Sequence, residues 1–510
     1  MPALNSAITN LPGQRTLHSD VLRRVFTFPI FLATILAGGA CVAAHFRFVD
    51  PDSWWHIRVG ELILRTHHWP TSDIYSFTAP GARWIAYEWL GEVTIAFAAR
   101  FGFTGLALLQ FIWASTLTTL ILYFSYIRSK NVKAAFLATV FALVMLGAFF
   151  TLRPQVMGYI FMAILLVALE RYKQKMSKSL WWLPALFLVW VNTHGTFFLG
   201  LGIFGVYWLA GLFEFQVGGI YSEKWTPQQR LHLLEVILLC VAVLPLTPYG
   251  TRLATYPFEM AFMQPLNVSS IVEWQPLSFA LPFGKILMVA LLVLIVAQIL
   301  MRLNHRLDSF LFVLLGAFAA YAHIRFLLFF LLFLTPTIAE LLSRWVPDYE
   351  PQKDKPVLNL IITLCVVAGI VLYVRDTPRL VSRFTETYPV KAVEYLRDHP
   401  ITAPMLNEYG WGGYLIYELY PAQRVFIDGR ADFYEYAGVF SDYLDITRIE
   451  PDAFRLLDRY GVQACLLQRK STLATVLTQL PAWRVEYSDD VAVLFVRGDG
   501  TGRAGAAPQK

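Results

Sequence analysis

The sequence predicts a polytopic α-helical membrane protein that carries a C-terminal α/β domain. Of its 510 residues, 56% are hydrophobic and only 15% are charged, whereas a typical soluble protein has about 25% charged residues. This apolar surplus exceeds what one core can bury, so lipid must solvate part of it. After about residue 375 the composition changes, and short amphipathic helices alternate with short strands.

Charge and cysteine content exclude two classes of protein. The net charge of +6 does not indicate nucleic-acid binding, because most Lys and Arg lie in short loops between apolar segments, where they orient helices. The four cysteines, at positions 41, 240, 365 and 465, form no CxxC pair, so neither a disulfide framework nor a zinc site is expected.

Eleven apolar segments are interpreted as membrane helices. They are 25–45, 105–127, 133–151, 156–171, 179–192, 196–215, 231–247, 283–301, 308–322, 326–343 and 356–374. The first is interpreted as an uncleaved span because many more follow, with a cleaved signal peptide as the alternative. A twelfth segment, 85–101, contains Glu88 and Glu92, which are costly at membrane depth, so it either crosses or lies along the interface.

The positive-inside rule separates these two options for 85–101. If the N-terminus is cytoplasmic and 85–101 does not cross, every strongly basic loop faces the cytoplasm. These loops are 128–133, 171–178, 222–230, 302–306 and 343–355. A crossing would move all of them outside, so we expect that 85–101 does not cross and that the C-terminal domain lies outside.

The predicted organisation has four parts. Residues 1–24 form a cytoplasmic N-terminal segment, and 25–375 form a transmembrane domain whose first outer loop covers about 46–104. Residues 376–497 form the α/β domain, and 498–510 form a Gly/Ala-rich disordered tail. In the α/β domain, helices are predicted at 389–399 and 451–461, and strands at 403–409, 424–430, 462–468, 483–489 and 491–497.

The loops expected outside carry polar and charged residues that helix orientation does not require. They are Asp50, Asp52, His56, Glu88, Arg153, Asn192, His194, Glu273, Trp274, His323 and Arg325. Polar groups at membrane depth cost free energy unless they pair or line a cavity. This asymmetry therefore predicts a site at the outer face.

Asp50 and Asp52 flank Pro51 directly after the first span. Such carboxylates can act as a general base on an acceptor hydroxyl or hold a divalent cation. Alternate residues of an extended segment point to opposite sides, so the two acids are expected to do different jobs. The structural alternative is helix capping, with Asp52 as the N-cap of a helix that contains His56 one turn later. His56 would face back towards the acids, where it either helps to bind the substrate or a metal, or only caps and packs.

Arginines at outer helix ends are suited to phosphate. Arg153 precedes Pro154, and Arg325 lies beside His323; each guanidinium can bind phosphate in a bidentate manner. The alternative is a salt bridge to an outer-face acid.

Other polar and aromatic residues of these loops allow two interpretations each. Asn192 and His194 form a tight turn with a structural or substrate-binding role, and Glu273–Trp274 either position an acceptor or cap a helix. Trp55, like Trp54, Trp69 and Trp84, is either a sugar-stacking platform or an interfacial anchor. In the C-terminal domain, Gly410, Gly412, Gly413 and Asp428 are placed where ligands bind off strand ends, but tight turns are the favoured interpretation.

These segments together resemble a known superfamily. "DPDSWWHIRVGELIL" and the rest of the first loop, followed by "LRPQ", "VNTHGTFFLGL", "TPYG", "VEWQP" and "NEYGWGGYL", are similar to bacterial members of the GT-C integral-membrane glycosyltransferases. The similar members are distantly related to protein mannosyltransferases and the aminoarabinose transferase. The resemblance covers roughly residues 25–497.

The resemblance implies a GT-C-like fold in the bacterial inner membrane, with the C-terminal domain in the periplasm. It implies an inverting hexosyl or pentosyl transfer from a polyprenyl-phosphate sugar to a glycan, lipid or protein acceptor. It assigns the general base to Asp50 and makes Asp52 its partner or a ligand of Mg²⁺ or Mn²⁺, although Pro51 separates acids that are adjacent in protein mannosyltransferases. It assigns the donor phosphate to Arg153 and Arg325, which lies beside His323.

Two other functions remain open from the sequence. A transporter or flippase for a lipid-linked sugar would use the same acids, but it predicts charges inside the spans and broken helices in both halves. A non-catalytic envelope assembly protein would tolerate Asp50→Asn and Asp52→Asn but not changes in the "GWGGYL" loop.

Overall fold

The computed structural model describes residues 25–45, 50–147, 149–374 and 384–498. The predicted N-terminal segment 1–24 and the tail from residue 499 onward lie outside the described residues.

A helix lies at each of the eleven predicted spans. Up to residue 374 the helices are α1 Phe28–His45, α2 Pro51–Thr66, α3 Trp89–Ala99, α4 Gly102–Ser129, α5 Val132–Leu146, α6 Pro154–Lys173, α7 Leu183–Val191, α8 Phe197–Ala210, α9 Pro227–Ala242, α10 Arg252–Phe262, α11 Pro265–Ser270, α12 Pro282–Met301, α13 Leu307–Ala322, α14 Leu327–Leu342 and α15 Pro356–Val374. In the described part of the chain, five helical segments are long and apolar enough to cross a membrane: Gly102–Ser129, Pro154–Lys173, Pro282–Met301, Ile324–Leu342 and Pro356–Tyr373.

Helices α2 and α3 form the first outer loop and pack closely on each other. A Cβ atom on Gly60 of α2 would lie 2.2 Å from the backbone oxygen of Glu92 and 2.7 Å from Cβ of Ala96. Glycine is therefore required for this approach. Helix α3 has 11 residues, which corresponds to about 16 Å and is shorter than a hydrocarbon core of about 30 Å.

Contacts on either side of the α4–α5 hairpin bear on whether α3 adds a crossing. Ser53 Oγ donates to the carbonyl of Leu152 at 3.0 Å, and Arg153 Nη2 lies 3.0 Å from Asp52 Oδ2. A hairpin returns the chain to the side where it started. If α3 crossed, Arg153 and Asp52 would lie on opposite sides, so these contacts agree with the expectation that 85–101 does not cross.

Charged residues of the loops expected in the cytoplasm meet at the opposite end of the bundle. Arg306 Nη1 lies 2.7 Å from Glu170 Oε1, and Lys173 Nζ lies 3.5 Å from Asp308 Oδ1. Glu170 and Asp308 are buried. The helix ends therefore sort into two groups as the loop charges predicted, and the basic end is also tied together by buried acids.

A three-stranded sheet lies near this basic end. Strands β1 (Phe215–Val217) and β2 (Ile220–Ser222) are antiparallel, and β3 (His305–Arg306) runs parallel to β2.

After residue 384 the chain forms short helices on a four-stranded sheet. The helices are α16 Val390–Asp398, α17 Gly412–Leu419, α18 Ala431–Tyr436, α19 Val439–Arg448, α20 Ala453–Arg459 and α21 Thr472–Gln479. Strands β4 (Met405–Asn407), β5 (Ala464–Gln468), β6 (Trp483–Ser488) and β7 (Ala492–Arg497) have the order β4-β5-β7-β6. Only β4 and β5 are parallel.

The strand predicted at 424–430 is absent from this described domain. Its residues instead run beside the first outer loop, and a single bridge pairs Val425 with Ser76. Asn407 takes the place of a strand partner, because its Oδ1 accepts from the backbone N–H of Phe426 and its Nδ2 donates to the carbonyl of Ile427. The hydrophobic pattern of 424–430 therefore reflects burial between two parts of the chain.

The C-terminal domain and the first outer loop share a buried ion network. Arg430 is 2% exposed; its Nη1 lies 2.8 Å from Asp73 Oδ1 and its Nη2 lies 2.6 Å from Asp428 Oδ2. The guanidinium also lies over the ring of Trp84, 4.6 Å from its centroid. Removing Arg430 would leave two buried carboxylates, Asp73 and Asp428, without this cation, so the network holds the domain on the loop.

Candidate active site

A cavity of about 650 Å³ opens where the outer helix ends meet the C-terminal domain. Nine of the residues predicted from the sequence line it: Asp50, Asp52, Glu88, Arg153, His194, Glu273, Trp274, His323 and Arg325. Its remaining walls are partly apolar, with Phe198, Leu199, Met260 and Phe326 among the lining residues. The cavity thus combines acids, cations and an apolar surface.

Asp50, and not Asp52, is the N-cap of α2. Its Oδ1 accepts from the backbone N–H of Asp52 at 2.9 Å, and its backbone is extended. Pro51 occupies the first helical position, where its missing N–H costs nothing. The cap must therefore precede the proline, which reverses the capping assignment made from the sequence.

Asp52 points from the first turn of α2 toward the cavity. Its Oδ1 accepts from Trp55 Nε1 at 3.2 Å, and its Oδ2 pairs with Arg153 Nη2 at 3.0 Å. Burial raises the pKa of Asp52 to about 7, while Arg153 acts in the opposite direction and Asp50 adds to the rise. A carboxylate with a pKa near neutrality is suited to general base catalysis.

Arg153 is already engaged by two carboxylates. Besides Asp52, Nη1 of the arginine lies 2.5 Å from Glu273 Oε1. This is the salt-bridge alternative considered for Arg153, and it leaves the residue less suited to a donor phosphate than to holding the two acids in place.

A divalent cation does not fit Asp50 and Asp52 as they are arranged. Asp50 Oδ1 is used in the helix cap, and the oxygens of Asp52 accept from Trp55 and Arg153. Mg²⁺ and Mn²⁺ need several oxygen ligands in one shell, but here the guanidinium of Arg153 lies between Asp52 and Glu273. Across the ranges that the structure describes, no three His, Cys, Asp or Glu side chains are grouped to hold a metal ion.

Arg325 differs from Arg153 in its surroundings. Its guanidinium carbon lies 3.9 Å from the centre of the Trp274 ring, and it forms no ion pair with any described residue. His323 Nδ1 donates to the backbone carbonyl of Trp274 at 2.6 Å, which leaves Nε2 of the neutral ring as an acceptor. The stacked arginine is thus a cation that remains available to a ligand.

Glu88 and His194 line the cavity and begin a row of four titratable side chains that continues through His56 to Glu92. His194 Nδ1 accepts from the backbone N–H of Thr196 at 3.0 Å, so Nε2 of the neutral ring carries the proton and donates to Glu88 Oε1 at 3.1 Å. Behind Glu88, His56 Nε2 lies 3.5 Å from Oε2 of that residue and His56 Nδ1 lies 3.2 Å from Glu92 Oε1.

Burial determines the charge of this row. It raises the pKa of Glu88 to about 8 and lowers that of His194 to about 3. It also lowers the pKa of His56 well below its usual value. Both imidazoles are therefore neutral near pH 7, and Glu88 titrates slightly above neutrality.

Three residues predicted to bind substrate lie outside the cavity wall. His56 is 1% exposed behind Glu88, and Trp55 is 4% exposed and donates to Asp52. Asn192 Oδ1 accepts from Trp89 Nε1 at 2.8 Å, and its Nδ2 donates to the carbonyl of Leu188 at 2.8 Å. These side chains position the wall and do not face a ligand.

The other tryptophans considered as sugar platforms also do not line the cavity. Trp54 and Trp84 are each 4% exposed, and Trp69 packs edge-on against Trp89 with ring centroids 5.6 Å apart.

Sequence reasoning did not favour a contribution of the C-terminal domain. Tyr409, Gly410, Gly429 and Asp432 line the cavity, but only Gly410 is a candidate from the sequence, where a tight turn is the favoured interpretation. Tyr87 and Tyr256 of the membrane domain were also missed. The signal was present in "FIDGRADFY", but its placement beside the first loop depends on contacts between distant parts of the chain.

Comparisons with known proteins give structural neighbours only. No protein-family model and no curated protein matches the chain significantly. The chain is similar to the archaeal oligosaccharyltransferase AglB from Archaeoglobus fulgidus in complex with an inhibitory peptide and a dolichol-phosphate, with 11% identity and a TM-score of 0.48 over 92% of this chain and 74% of that chain. It is also similar to the A. fulgidus oligosaccharyltransferase tethered to an acceptor peptide by a disulfide bond, with 13% identity and a TM-score of 0.47 over 87% and 70%.

A third neighbour is the same enzyme in complex with Zn and sulfate, with 13% identity and a TM-score of 0.47 over 86% of this chain and 68% of that chain. All three neighbours are described as oligosaccharyltransferases. All three TM-scores are below 0.5, so the functional conclusion rests on the cavity.

Proposed function

We propose that the chain is a membrane glycosyltransferase. It transfers a sugar from a polyprenyl-phosphate donor to a hydroxyl acceptor at the outer face of the bacterial inner membrane, with inversion at the anomeric carbon. The observation that carries this proposal is the cavity, in which the unpaired guanidinium of Arg325 and the carboxylate of Asp52 line one space at the helix ends.

The donor phosphate is bound by Arg325. The arginine has a cation free of carboxylates within the described chain, and Trp274 fixes its plane at 3.9 Å. His323 Nδ1 donates to the Trp274 carbonyl at 2.6 Å and so helps to fix the segment on which the Arg325 guanidinium stacks. Phe198, Leu199 and Phe326 line the cavity, and this apolar surface suits the first isoprene units of the lipid.

Asp52 acts as the general base on the acceptor. It takes the hydroxyl proton while the acceptor oxygen attacks the anomeric carbon. The bond between that carbon and the phosphate oxygen breaks, and the electron pair stays on the phosphate, which leaves as polyprenyl phosphate. Because the leaving group is already an anion beside Arg325, no general acid is needed.

Asp50 and Arg153 position this base. Asp50 caps α2 and so sets the direction of the first helical turn, in which Asp52 lies. Arg153 joins that turn to the start of α6 and to Glu273. These roles differ from those implied by the resemblance, in which Asp50 is the base.

The test uses full-length protein in nanodiscs with polyprenyl-phosphate-linked glucose, mannose, galactose or arabinose and an extract of envelope glycans. We expect Asp52→Asn and Arg325→Ala to reduce sugar transfer by about 100-fold or more, which is the usual contribution of a positioned base. Asp442→Asn is the control, because Asp442 accepts from Tyr460 and is not one of the residues that line the cavity. Full transfer by both Asp50→Asn and Asp52→Asn would contradict the proposal.

A further inference from the structure

Helix α18 of the C-terminal domain is clamped from two sides. On one side, Glu435 accepts the backbone N–H groups of Leu266 and Asn267 at 2.9 and 2.7 Å. On the other side, Arg430 lies in the buried network with Asp73. These two contacts fix the backbone of α18 and therefore the position of Asp432, which lies between them.

Asp432 faces the cavity. It is 7% exposed and accepts from the hydroxyl of Tyr256, and no described cation pairs with it. A buried carboxylate without a cation costs free energy. Burial raises the pKa of Asp432 to about 6, although the N–H groups of Asp432 and Phe433 act against it. Such a group at a cavity wall indicates a ligand that donates hydrogen bonds.

Tyr87 and Tyr256 form an aromatic face beside this carboxylate. Their rings are stacked, with centroids 4.4 Å apart and planes at 27°, and both residues line the cavity. A pyranose ring presents C–H groups on its faces and hydroxyl groups at its edge. An aromatic face beside a carboxylate matches both surfaces.

The segment that carries Asp432 adjoins the proposed base. A Cβ atom on Gly429 would lie 1.9 Å from Asp52 Oδ1 and 3.0 Å from Trp55 Nε1. Only glycine allows this approach, so the chain passes directly against Asp52 three residues before Asp432. A sugar held at Asp432 thus lies next to the reacting centre.

We infer that Asp432, Tyr256 and Tyr87 form the subsite that holds the sugar ring of the lipid-linked donor. This inference rests on the proposed function and extends it. Asp432 accepts hydrogen bonds from two adjacent hydroxyl groups of the sugar, while Arg325 holds the phosphate. The C-terminal domain is then a part of the donor site and recognises the sugar.

The experiment separates sugar binding from phosphate binding. Full-length protein in nanodiscs is titrated with bare decaprenyl phosphate and with decaprenyl phosphate carrying glucose, mannose, galactose or arabinose, and quenching of tryptophan fluorescence gives each Kd. We expect the wild type to bind at least one glycosylated lipid about tenfold more tightly than the bare lipid. In Asp432→Asn and Tyr256→Phe this preference falls to within about twofold, while the Kd of the bare lipid is unchanged.

Two control variants are expected to keep the preference for glycosylated lipid over bare lipid. Asp442→Asn removes the charge from a Tyr–Asp pair that lies entirely within the C-terminal domain and keeps the preference. Arg325→Ala weakens bare and glycosylated lipid by the same factor. A preference that survives in both Asp432→Asn and Tyr256→Phe, or its absence from the wild type, would overturn the subsite. If the wild type binds no decaprenyl phosphate in any form, the proposed function fails as well.

If the hydrogen bond between Tyr256 and Asp432 has only a structural role, the variants should behave differently. Loss of this hydrogen bond would loosen the long outer loop, lower the thermal midpoint and weaken bare and glycosylated lipid together. That pattern in Tyr256→Phe, which keeps the aromatic ring, would also overturn the inference.

Discussion

Arg153 Nη2 lies 3.0 Å from Oδ2 of Asp52, and this pair joins the start of α2 to the start of α6. It brings a first-loop acid into contact with a residue about one hundred positions later in the chain. The pair also distinguishes two arginines of similar sequence setting, since Arg325 stacks on an aromatic ring and forms no ion pair with a carboxylate in the described part of the chain.

Arg153→Ala is expected to destabilise the protein more than Arg325→Ala. Loss of Arg153 leaves the partly buried Asp52 and Glu273 without a cation, which costs about 2 kcal/mol for a pair that is not fully desolvated. Thermal unfolding in detergent measures the difference. The double variant Arg153→Ala/Asp52→Asn should recover part of the loss, and equal midpoints for the two single variants would contradict the assignment.

Transfer should increase with pH with a midpoint near 7. Asp52 is the base in its ionised form, and burial raises its pKa to about 7, so the rate rises as the proton is lost and reaches a plateau above neutrality. The pH profile of kcat/KM measures this limb. Residual transfer by Asp52→Asn should lack it, and an unchanged midpoint in that variant would exclude Asp52 as the titrating base.

Glu88 should contribute stability that is lost as pH rises from about 4 to 8, whereas His56 and His194, whose pKa values burial lowers, act in the opposite direction below about pH 6.5. The folded pKa of Glu88, about 8, exceeds the unfolded value of about 4.3. The folded state therefore binds more protons at Glu88 in this window, and this contribution to the unfolding free energy falls with pH. His194 and His56 face Glu88 and stay neutral there, while Arg153 and Arg325 oppose the shift.

Glu88→Gln isolates this contribution. Asp52 and Asp432 also have raised pKa values and add slopes of the same sign, so the effect of Glu88 is the difference between wild type and variant. We expect the thermal midpoint of Glu88→Gln to fall less between pH 5.5 and 8.5. A steeper fall in the variant would contradict the burial of an ionisable Glu88.

Gly60→Ala should disrupt the first outer loop. The added Cβ would lie 2.2 Å from the Glu92 carbonyl oxygen, so α2 and α3 must separate, at a cost of about 1–3 kcal/mol. Gly202→Ala is the matched control, because no atom lies within 4 Å of the Cβ that it adds to α8. Thermal unfolding should show a lower midpoint for Gly60→Ala only.

Cysteine labelling tests the path of the chain around α3. In a variant without the four native cysteines, single cysteines are placed at His68, before α3, and at Ser177, between α6 and α7. We expect an impermeant maleimide to label His68→Cys in intact spheroplasts and Ser177→Cys only after permeabilisation. Labelling of both positions from the same side would contradict the arrangement.

Much of the fold could be predicted because hydropathy and loop charge are local properties of the sequence. Runs of apolar residues marked the helices, and the distribution of Lys and Arg marked which loops share a side. The failure at 424–430 has a physical reason. A short apolar run predicts burial but does not distinguish a strand from an extended segment buried between two domains, as Val425 and Phe426 are.

The sequence predicted which residues belong to the candidate site, but it did not predict the role of each residue. Polar residues in outer loops of an apolar chain had to line a cavity or pair with one another, and nine of them line the cavity described above. Pro51 also determined the position of the helix cap, since a proline at the first helical position requires the cap before it.

By itself, the sequence determined that this is a helical membrane protein with its unusual polar residues at one end. The free-energy cost of placing a side chain at membrane depth depends on residue type, which can be read from the sequence. Only the tertiary structure decided that Arg153 is neutralised by Glu273, that Arg325 is left free, and that Asp432 faces the cavity. Those roles depend on distances between residues that lie from about fifty to almost four hundred positions apart. A distance of that kind is set by packing and has no local signature in the chain.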